Sequence, residues 1–203
     1  MASVASPYGL KPVNLIGGQP YAGSTRTYLI DPAGTAANIY NGSPVYVNAN
    51  GYLAVSTATG ADATTNGFPV GTQNTGIVGV FVGCSYVNAQ GQQIFAQYYP
   101  TGVTGVVTAQ VVDDYDAVFQ VQSAGTVAQN AVGANVFFTT GAVATGSTST
   151  GNSTASVVAG ASAVLTTAAF RVIGFASPVG DTATDILVKI NPGYHTYTNA
   201  VGL

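Results

Sequence analysis

The stretch Ser43–Val55, SPVYVNANGYLAV, carries the clearest strand pattern of this chain. Large apolar side chains occupy every second position in Val45–Val47 and again in Leu53–Val55, on either side of the dipeptide Asn50-Gly51. This period of two is the pattern of a half-buried strand, and Asn-Gly supplies the two positive-φ residues of a type I′ turn. The stretch therefore predicts a β-hairpin with a two-residue turn.

The same kind of short apolar run recurs along the rest of the chain, separated by Gly, Asn, Pro and Thr. The further predicted strands are Gly76–Gly83, Gln93–Tyr98, Gly105–Val112, Ala117–Gln122, Asn135–Thr139, Ala168–Phe175 and Asp185–Ile190. No segment has apolar residues at i, i+3, i+4 and i+7 with a charged opposite face, as an amphipathic helix would. We therefore predict an all-β fold, a β-sandwich or a jelly-roll-like β-barrel.

Two stretches depart from this pattern. Residues 1–28 contain Pro7, Pro12 and Pro20 and the pair Gly17-Gly18, so we expect an extended N-terminal arm without a strand. Residues 29–203 then form a single β-rich domain. Within it, residues 140–162 are rich in Ser, Thr, Gly and Ala and predict a long surface loop or a projecting hairpin.

Composition excludes several classes of function. Only four of the 203 residues are Lys or Arg and seven are acidic, and the chain has one His and one Cys. Four dispersed basic side chains are too few to neutralise a nucleic-acid backbone, so no nucleic-acid partner is expected. One His and one Cys cannot build a zinc centre or a disulfide within the chain. The four basic residues are Lys11, Arg26, Arg171 and Lys189.

Membrane and export signals are missing from the sequence. No window approaches the roughly 18 consecutive apolar residues of a membrane span, so no membrane partner is expected. The first residues lack a basic region followed by a long apolar run, so a secretory signal is not predicted. We expect synthesis in a cytoplasm.

Asp113, Asp114 and Asp116 form the one concentration of charge in the chain. Carboxylates at this spacing could bind calcium, but the glycine and the distal Glu of an EF-hand loop are missing. Asp is also a preferred turn residue, so we interpret the cluster as a solvated turn between two strands. Metal binding here is left open, and no metal ligand is assigned.

Neither His195 nor Cys84 lies in a catalytic motif. No G-x-S-x-G turn presents a nucleophile to a histidine, and no P-loop or dinucleotide-binding glycine motif is present. We interpret His195 as a packing or contact residue and Cys84 as a small core residue. The sequence therefore predicts no catalytic residue, no cofactor and no enzyme activity.

The low charge points instead to an assembly component. A strand surface filled with Thr, Ser, Asn, Gln and Tyr can be buried against another protein without removing many charged groups from water. Low net charge also removes the repulsion that opposes self-association.

A series of phrases resembles a family of small head proteins of tailed bacteriophages. The opening Gly-Leu-x-Pro-Val and Gly-x-Pro-Tyr phrases are followed by a strand start like "GDPV" with an Asn-Gly hairpin, then by phrases like "DDPDVVFEVQ" and "LRIVGF…D…VKIN". The matching stretches here are Gly9–Val13, Gly18–Tyr21, Gly42–Val45, Asn50-Gly51, Asp113–Gln122, Phe170–Phe175 and Asp185–Asn191. They occur in the family's order over nearly the whole chain, with departures at Ser43, Tyr115 and Gln120.

The resemblance implies a capsid decoration, or cement, protein. Such proteins are β-rich and usually oligomeric, and they bind the outside of a shell built from a different major capsid protein. The expectation is a structural virion protein on the capsid exterior, made in the host bacterial cytoplasm, that stabilises contacts between capsomers. Self-association as a homotrimer is favoured, with a dimer left open.

The arm is expected to carry much of the capsid contact. The residues assigned to it are Pro7, Leu10, Lys11, Pro12, Val13, Pro20, Tyr21 and Arg26. On this hypothesis, deletion of Ala2–Tyr28 abolishes attachment and leaves a folded body.

Three alternatives compete with this hypothesis. A low-copy vertex, fibre or glycan-binding head protein would use its Tyr-rich stretches to stack on sugars. The major shell protein of the common phage fold needs a long spine helix, which the pattern does not offer. A surface adhesin shares the composition but should carry an export signal.

Overall fold

The computed structural model describes residues 4–55, 70–71, 74–139, 144–159 and 168–198, and this part of the chain is all-β. The strands are β1 Lys11–Leu15, β2 Arg26–Ile30, β3 Pro44–Val47, β4 Leu53–Val55, β5 Val70–Gly71, β6 Asn74–Thr75, β7 Gly79–Val87, β8 Gln93–Ala96, β9 Val107–Val112, β10 Ala117–Gln122, β11 Asn135–Val136, β12 Phe170–Phe175 and β13 Asp185–Ile190. Two 3₁₀ segments, Gln129–Ala131 and Pro192–Tyr194, are the only helical turns in the described ranges. The predicted all-β fold class is confirmed.

The larger sheet has six strands in the order β3-β4-β2-β9-β7-β8. An additional pairing of β3 with the start of β7 closes β3, β4, β2, β9 and β7 into a ring. The nine-residue β7 is long enough to pair first with β3 and then, from Cys84 to Val87, with β8. β8 is therefore an appended strand with one edge unpaired in the described sheet.

The second sheet has five strands in the order β1-β10-β13-β12-β11, all antiparallel. Alternate residues of its strands point inward, as in β13, where Ile186, Val188 and Ile190 are buried. One apolar cluster joins these residues to the interior of the larger sheet, including Phe81 and Val111. The two sheets therefore share a single core, consistent with a β-sandwich.

Each strand predicted from the sequence has a counterpart in the structure. Ala117–Gln122 and Asp185–Ile190 match β10 and β13 from end to end. The strand predicted at Gly76–Gly83 runs on to Val87, because its second half pairs with β8.

The hairpin predicted at Ser43–Val55 forms, with Tyr46 opposite Ala54. Its turn is longer than the predicted two residues: the Gly51 N–H donates to the Asn48 carbonyl, and Gly51 has a φ of 81°. This is the three-residue loop that ends in a left-handed glycine. The Asn48 side chain stabilises this longer loop, because its Oδ1 accepts the N–H groups of Asn50 and Tyr52.

An almost identical turn joins β7 to β8. The Gly91 N–H donates to the Asn88 carbonyl, Gly91 has a φ of 78°, and Asn88 Oδ1 accepts the N–H groups of Gln90 and Gln92. The shared phrase Asn-Ala-x-Gly is visible in the sequence and identifies both turns.

The prediction that the N-terminal arm contains no strand is wrong. Lys11–Leu15 forms β1 and pairs with β10, with a register shift between Pro12 and Asn14. β1 is an edge strand, so Pro12 needs no neighbour on its second side. Leu10 is 1% exposed and belongs to the core, and its N–H donates to the Gly42 carbonyl.

The described part of the predicted excursion, residues 144–159, returns to the body instead of projecting from it. Ala155 and Val157 are fully buried, and the Ser153 N–H donates to the Asn41 carbonyl. Small residues allow this close approach: a Cβ on Gly146 would lie 2.4 Å from the Tyr40 ring. Residues 140–143 and 160–162 lie outside the described residues.

Candidate functional site

A cleft of about 500 Å³ lies where the N-terminal segment, the acidic turn and the last described turn of the chain meet. It joins the predicted contact arm to the predicted acidic turn, which the sequence analysis had treated separately. Its lining residues are Leu15, Ser24, Arg26, Asp113, Asp114, Tyr115, Asp116 and Tyr197.

Four side chains form a polar network on one side of the cleft. Arg26 Nε lies 3.0 Å from Asp113 Oδ2, and the Tyr28 hydroxyl donates to the same oxygen at 2.8 Å. Arg26 Nη1 also donates to the Tyr197 hydroxyl at 3.0 Å, and the Tyr28 and Tyr197 hydroxyls are in contact. Burial, with the hydrogen bonds to Tyr197 and Asp113, raises the pKa of Tyr28, so its hydroxyl keeps its proton.

The acidic turn links β9 to β10, as predicted, and its carboxylates have separate partners. Asp116 Oδ1 lies 2.6 Å from Lys189 Nζ, whereas Asp114 Oδ1 accepts the Asp116 N–H at 2.8 Å. Within the described residues, no three His, Cys, Asp or Glu side chains are grouped so that they could hold a metal ion. Asp114 is the carboxylate of this turn for which the structure records no ion pair.

His195 lies behind the cleft as a buried residue, 1% exposed. Its Nδ1 accepts the Tyr197 N–H at 3.2 Å, and its Nε2 has no hydrogen-bond partner. The Ile77 N–H donates to the Tyr194 carbonyl and the Thr196 N–H to the Ile77 carbonyl, which hold this turn against the core. Burial lowers the pKa of His195, so the ring is neutral at pH 7.

Cys84 is buried on β7 and packs in the core, as the sequence suggested. Burial raises the pKa of its thiol to about 12, so the nucleophilic thiolate is scarce at neutral pH.

The residues assigned to the arm divide into three groups. Leu10 is in the core at 1% exposure, so it is not available to a partner. Pro7, Pro12 and Tyr21 are partly buried. Lys11, Val13, Pro20 and Arg26 are exposed, and they lie along β1, the loop that follows it and the start of β2.

The four basic residues all belong to strands. Lys11 lies in β1, Arg26 begins β2, Arg171 lies in β12 and Lys189 in β13. Lys11 places its ammonium 4.1 Å from the centre of the Tyr8 ring, and Tyr8 in turn donates to Asp185. These contacts fix the N-terminal segment to the second sheet.

Sequence reasoning missed an uncharged surface on the larger sheet. Leu29, Thr108, Ser85 and Phe95 stand opposite one another across β2, β9, β7 and β8. Phe95 is 82% exposed and Leu29 50%. Thr27 of β2 and Gln110 of β9 form the next cross-strand pair on the same face. The six residues Thr27, Leu29, Ser85, Phe95, Thr108 and Gln110 are called the bare face. In Gln93–Ala96, the alternation of a strand places Phe95 on the same face as Gln93, and this is the sequence signal that could have revealed the surface.

Comparison with protein-family models, with curated proteins and with solved structures found no match to this chain. In the described ranges, no helix has the length and apolar character needed to cross a membrane.

Proposed function

We propose that this chain is a structural virion protein that binds the outer surface of a phage capsid and stabilises contacts between capsomers. It acts through protein–protein contact and not as an enzyme. The proposal rests on the family resemblance together with one structural observation, the convergence of the resembling phrases.

Most of these phrases are neighbours in one sheet, although they lie far apart in the chain. Lys11–Leu15 pairs with Ala117–Gln120, β10 pairs with β13, and β13 pairs with β12. The first, central and last phrases therefore form one continuous unit, β1-β10-β13-β12. The resembling phrases thus coincide with strands of one sheet, which is the arrangement that a fold shared with the family would require.

The surface chemistry fits a protein partner. At the cleft, Arg26 is paired with Asp113 and Lys189 with Asp116. A partner that covers the cleft would therefore bury few unpaired charges, and the cost of desolvation would be small. The exposed part of the N-terminal segment adds three apolar residues. Val13 is 38% exposed and Ile16 45%, and Pro20 is also exposed. We propose that this edge contacts the shell.

Deletion of Ala2–Tyr28 is not a suitable test of that contact. It would remove β1, most of β2 and the core residue Leu10, so the remainder would not keep this fold. Single surface substitutions separate binding from folding. Val13→Asp places a charge on the proposed contact edge, and Val179→Asp is the matched control on a turn, at 45% exposure against 38%.

The first experiment measures the copy number of this chain relative to the most abundant shell protein in purified particles. A ratio near one, or a simple fraction such as one third, is expected for decoration of the whole lattice. Absence from particles would overturn the proposal. In binding to particles that lack the protein, Val13→Asp should reduce occupancy by about tenfold or more, as loss of an interface anchor does, while Val179→Asp should not.

A second candidate function, a low-copy glycan-binding head protein, is favoured by the aromatic side chains of the cleft. Tyr115 is 53% exposed and Tyr197 49%, and both line a cleft that also carries carboxylates. Exposed rings can stack on the apolar face of a sugar while polar groups bind its hydroxyls. Binding of the purified chain to a glycan array, lost in Tyr115→Ala, together with a few tens of copies per particle, would select this function.

A further inference from the structure

We propose that the bare face is a contact between two copies of this chain, in which the Phe95 ring of one copy enters a depression beside Phe95 on the other. The proposal gives an interface to the self-association that the family resemblance implies, and its twofold symmetry favours the dimer over the homotrimer. It is measured on the isolated protein, so its failure and the failure of capsid binding are distinguishable.

Phe95 is the projecting part of the contact. At 82% it is the most exposed large apolar side chain of the described residues, and it lies on β8, the appended edge strand. Its cross-strand neighbour is Ser85, which is too small to cover the ring. An exposed aromatic ring can contribute a large contact area when the partner offers a complementary site.

The receiving site is a shallow depression of about 360 Å³ on the same face. Its floor is Gly83, which stands opposite Gln110 at an irregularity in the β7–β9 register and offers no side chain. Val82 and Phe95 complete the rim, with Ala96 and the backbone near Cys84. The volume exceeds that of an enclosed apolar cavity of about 150 Å³ that binds benzene, so the size of the depression does not exclude a phenyl ring.

A second copy is the occupant that supplies both halves at once. The ring and the depression are adjacent on one surface, so two copies related by a twofold axis offer each ring to the other's depression. Such symmetry brings like side chains close together, which would be costly for charges. The residues of the bare face, Thr27, Leu29, Ser85, Phe95, Thr108 and Gln110, include no charged side chain.

The edge of β8 is open to the same partner. Edge strands of monomeric proteins usually carry Lys or another charged residue, or Pro, and these prevent pairing. Gln93–Ala96 has none of these, and its backbone hydrogen bonds in the described sheet go to β7 alone. The approach of a second copy to this side of the molecule is therefore not obstructed by local sequence.

The test uses sedimentation velocity over a concentration series of the full chain. The wild-type protein is expected to associate. Phe95→Ala removes the ring and Gln110→Trp fills the depression, and each should raise the dissociation constant by about 30-fold, as loss of an interface hot spot does. Val179→Ala, a substitution at an exposed apolar residue in the turn between β12 and β13, should leave association unchanged.

A mixture of the two variants gives the decisive result. Gln110→Trp still carries the ring, and Phe95→Ala keeps the Gly83 floor and the Val82 side of the depression, so the mixture should associate more tightly than either variant alone. Circular dichroism of each variant verifies that it is folded.

Three results would overturn the proposal. They are a wild-type chain that stays monomeric at high concentration, association that survives Phe95→Ala, and a mixture no tighter than its components. A monomeric chain whose binding to capsids depends on Phe95 would assign the bare face to the shell protein instead.

Discussion

The cleft and the bare face lie on the same protein and differ in what holds their side chains. In the cleft, Arg26, Tyr28, Asp113 and Tyr197 are bonded to one another, and the N-terminal segment beside them is anchored by Leu10. On the bare face, Phe95 is open to solvent. We therefore expect the fold to depend on the side chains of the cleft and much less on those of the bare face.

Among the variants of the cleft and of the N-terminal segment beside it, truncation of Leu10 should give the largest loss of stability. A fully buried leucine replaced by alanine loses its burial and leaves a cavity, so Leu10→Ala should lower the free energy of unfolding by about 2–5 kcal/mol. Denaturant titration at pH 7 measures this. Val13→Ala, at an exposed site on the same segment, is the control. Equal small losses in both variants would mean that the N-terminal segment is a detachable arm after all.

The buried His195 should make the cleft side sensitive to acid. Its pKa is lowered in the folded protein by burial, whereas in the unfolded chain it is near 6.5, so the unfolded state binds the proton first. Stability is therefore complete above pH of about 6.5 and falls as pH decreases toward the folded-state pKa, by at most about 1.4 kcal/mol per pH unit. Chemical denaturation between pH 5 and 8 measures the slope.

His195→Asn is the matched variant for this slope. Its amide oxygen can replace Nδ1 as acceptor for the Tyr197 N–H, but it does not titrate. Because His195 is the one histidine of the chain, the slope should disappear in the variant. An unchanged slope would assign the acid sensitivity to the carboxylates.

Asp113→Asn should have a smaller effect. The carboxylate accepts the Tyr28 hydroxyl and pairs with Arg26, but the Arg26 side chain is 59% exposed, so solvent screens much of that pair. We expect a loss of about 1 kcal/mol, chiefly from the charged hydrogen bond to Tyr28. A double-mutant cycle with Tyr28→Phe measures the coupling. A coupling near zero would mean that the network does not hold this end of the molecule together.

Phe95→Ala should have the smallest effect on the monomer. Exposed substitutions away from core and caps usually change stability by less than about 0.5 kcal/mol. Unfolding measured at concentrations below the association range isolates the monomer. A loss comparable with that of Leu10→Ala would show that the bare face belongs to the folded core, and the contrast between the two regions would disappear.

The parts of this structure that were predictable are those governed by local chemistry. The alternation of apolar and polar residues predicted both ends of β10 and β13 correctly, and the Asn-Gly dipeptide predicted the position of the first hairpin. The hairpin turn was one residue longer than expected because Asn48 competes for the backbone donors, a side-chain effect that a dipeptide rule does not include.

The parts that were missed depend on distant partners. β1 reads as a Pro-rich arm, and it becomes a strand only because the edge of β10 is available to it. Val157 lies in a low-complexity stretch, and it is buried because it pairs with Ser123 and Phe138 from other parts of the chain. The cleft likewise combines residues more than 80 positions apart, so the separate interpretation of Arg26 and Asp113 could not reveal their pairing.

The placement of every basic residue in a strand has a consequence for proteolysis. Trypsin cleaves after Lys and Arg and needs several residues of extended, accessible chain, but Arg26, Arg171 and Lys189 are tied into ladders. Lys11 precedes Pro12, a bond that trypsin does not cut. The native protein thus has no tryptic site in a loop, and the rate of digestion reports the opening of whole strands.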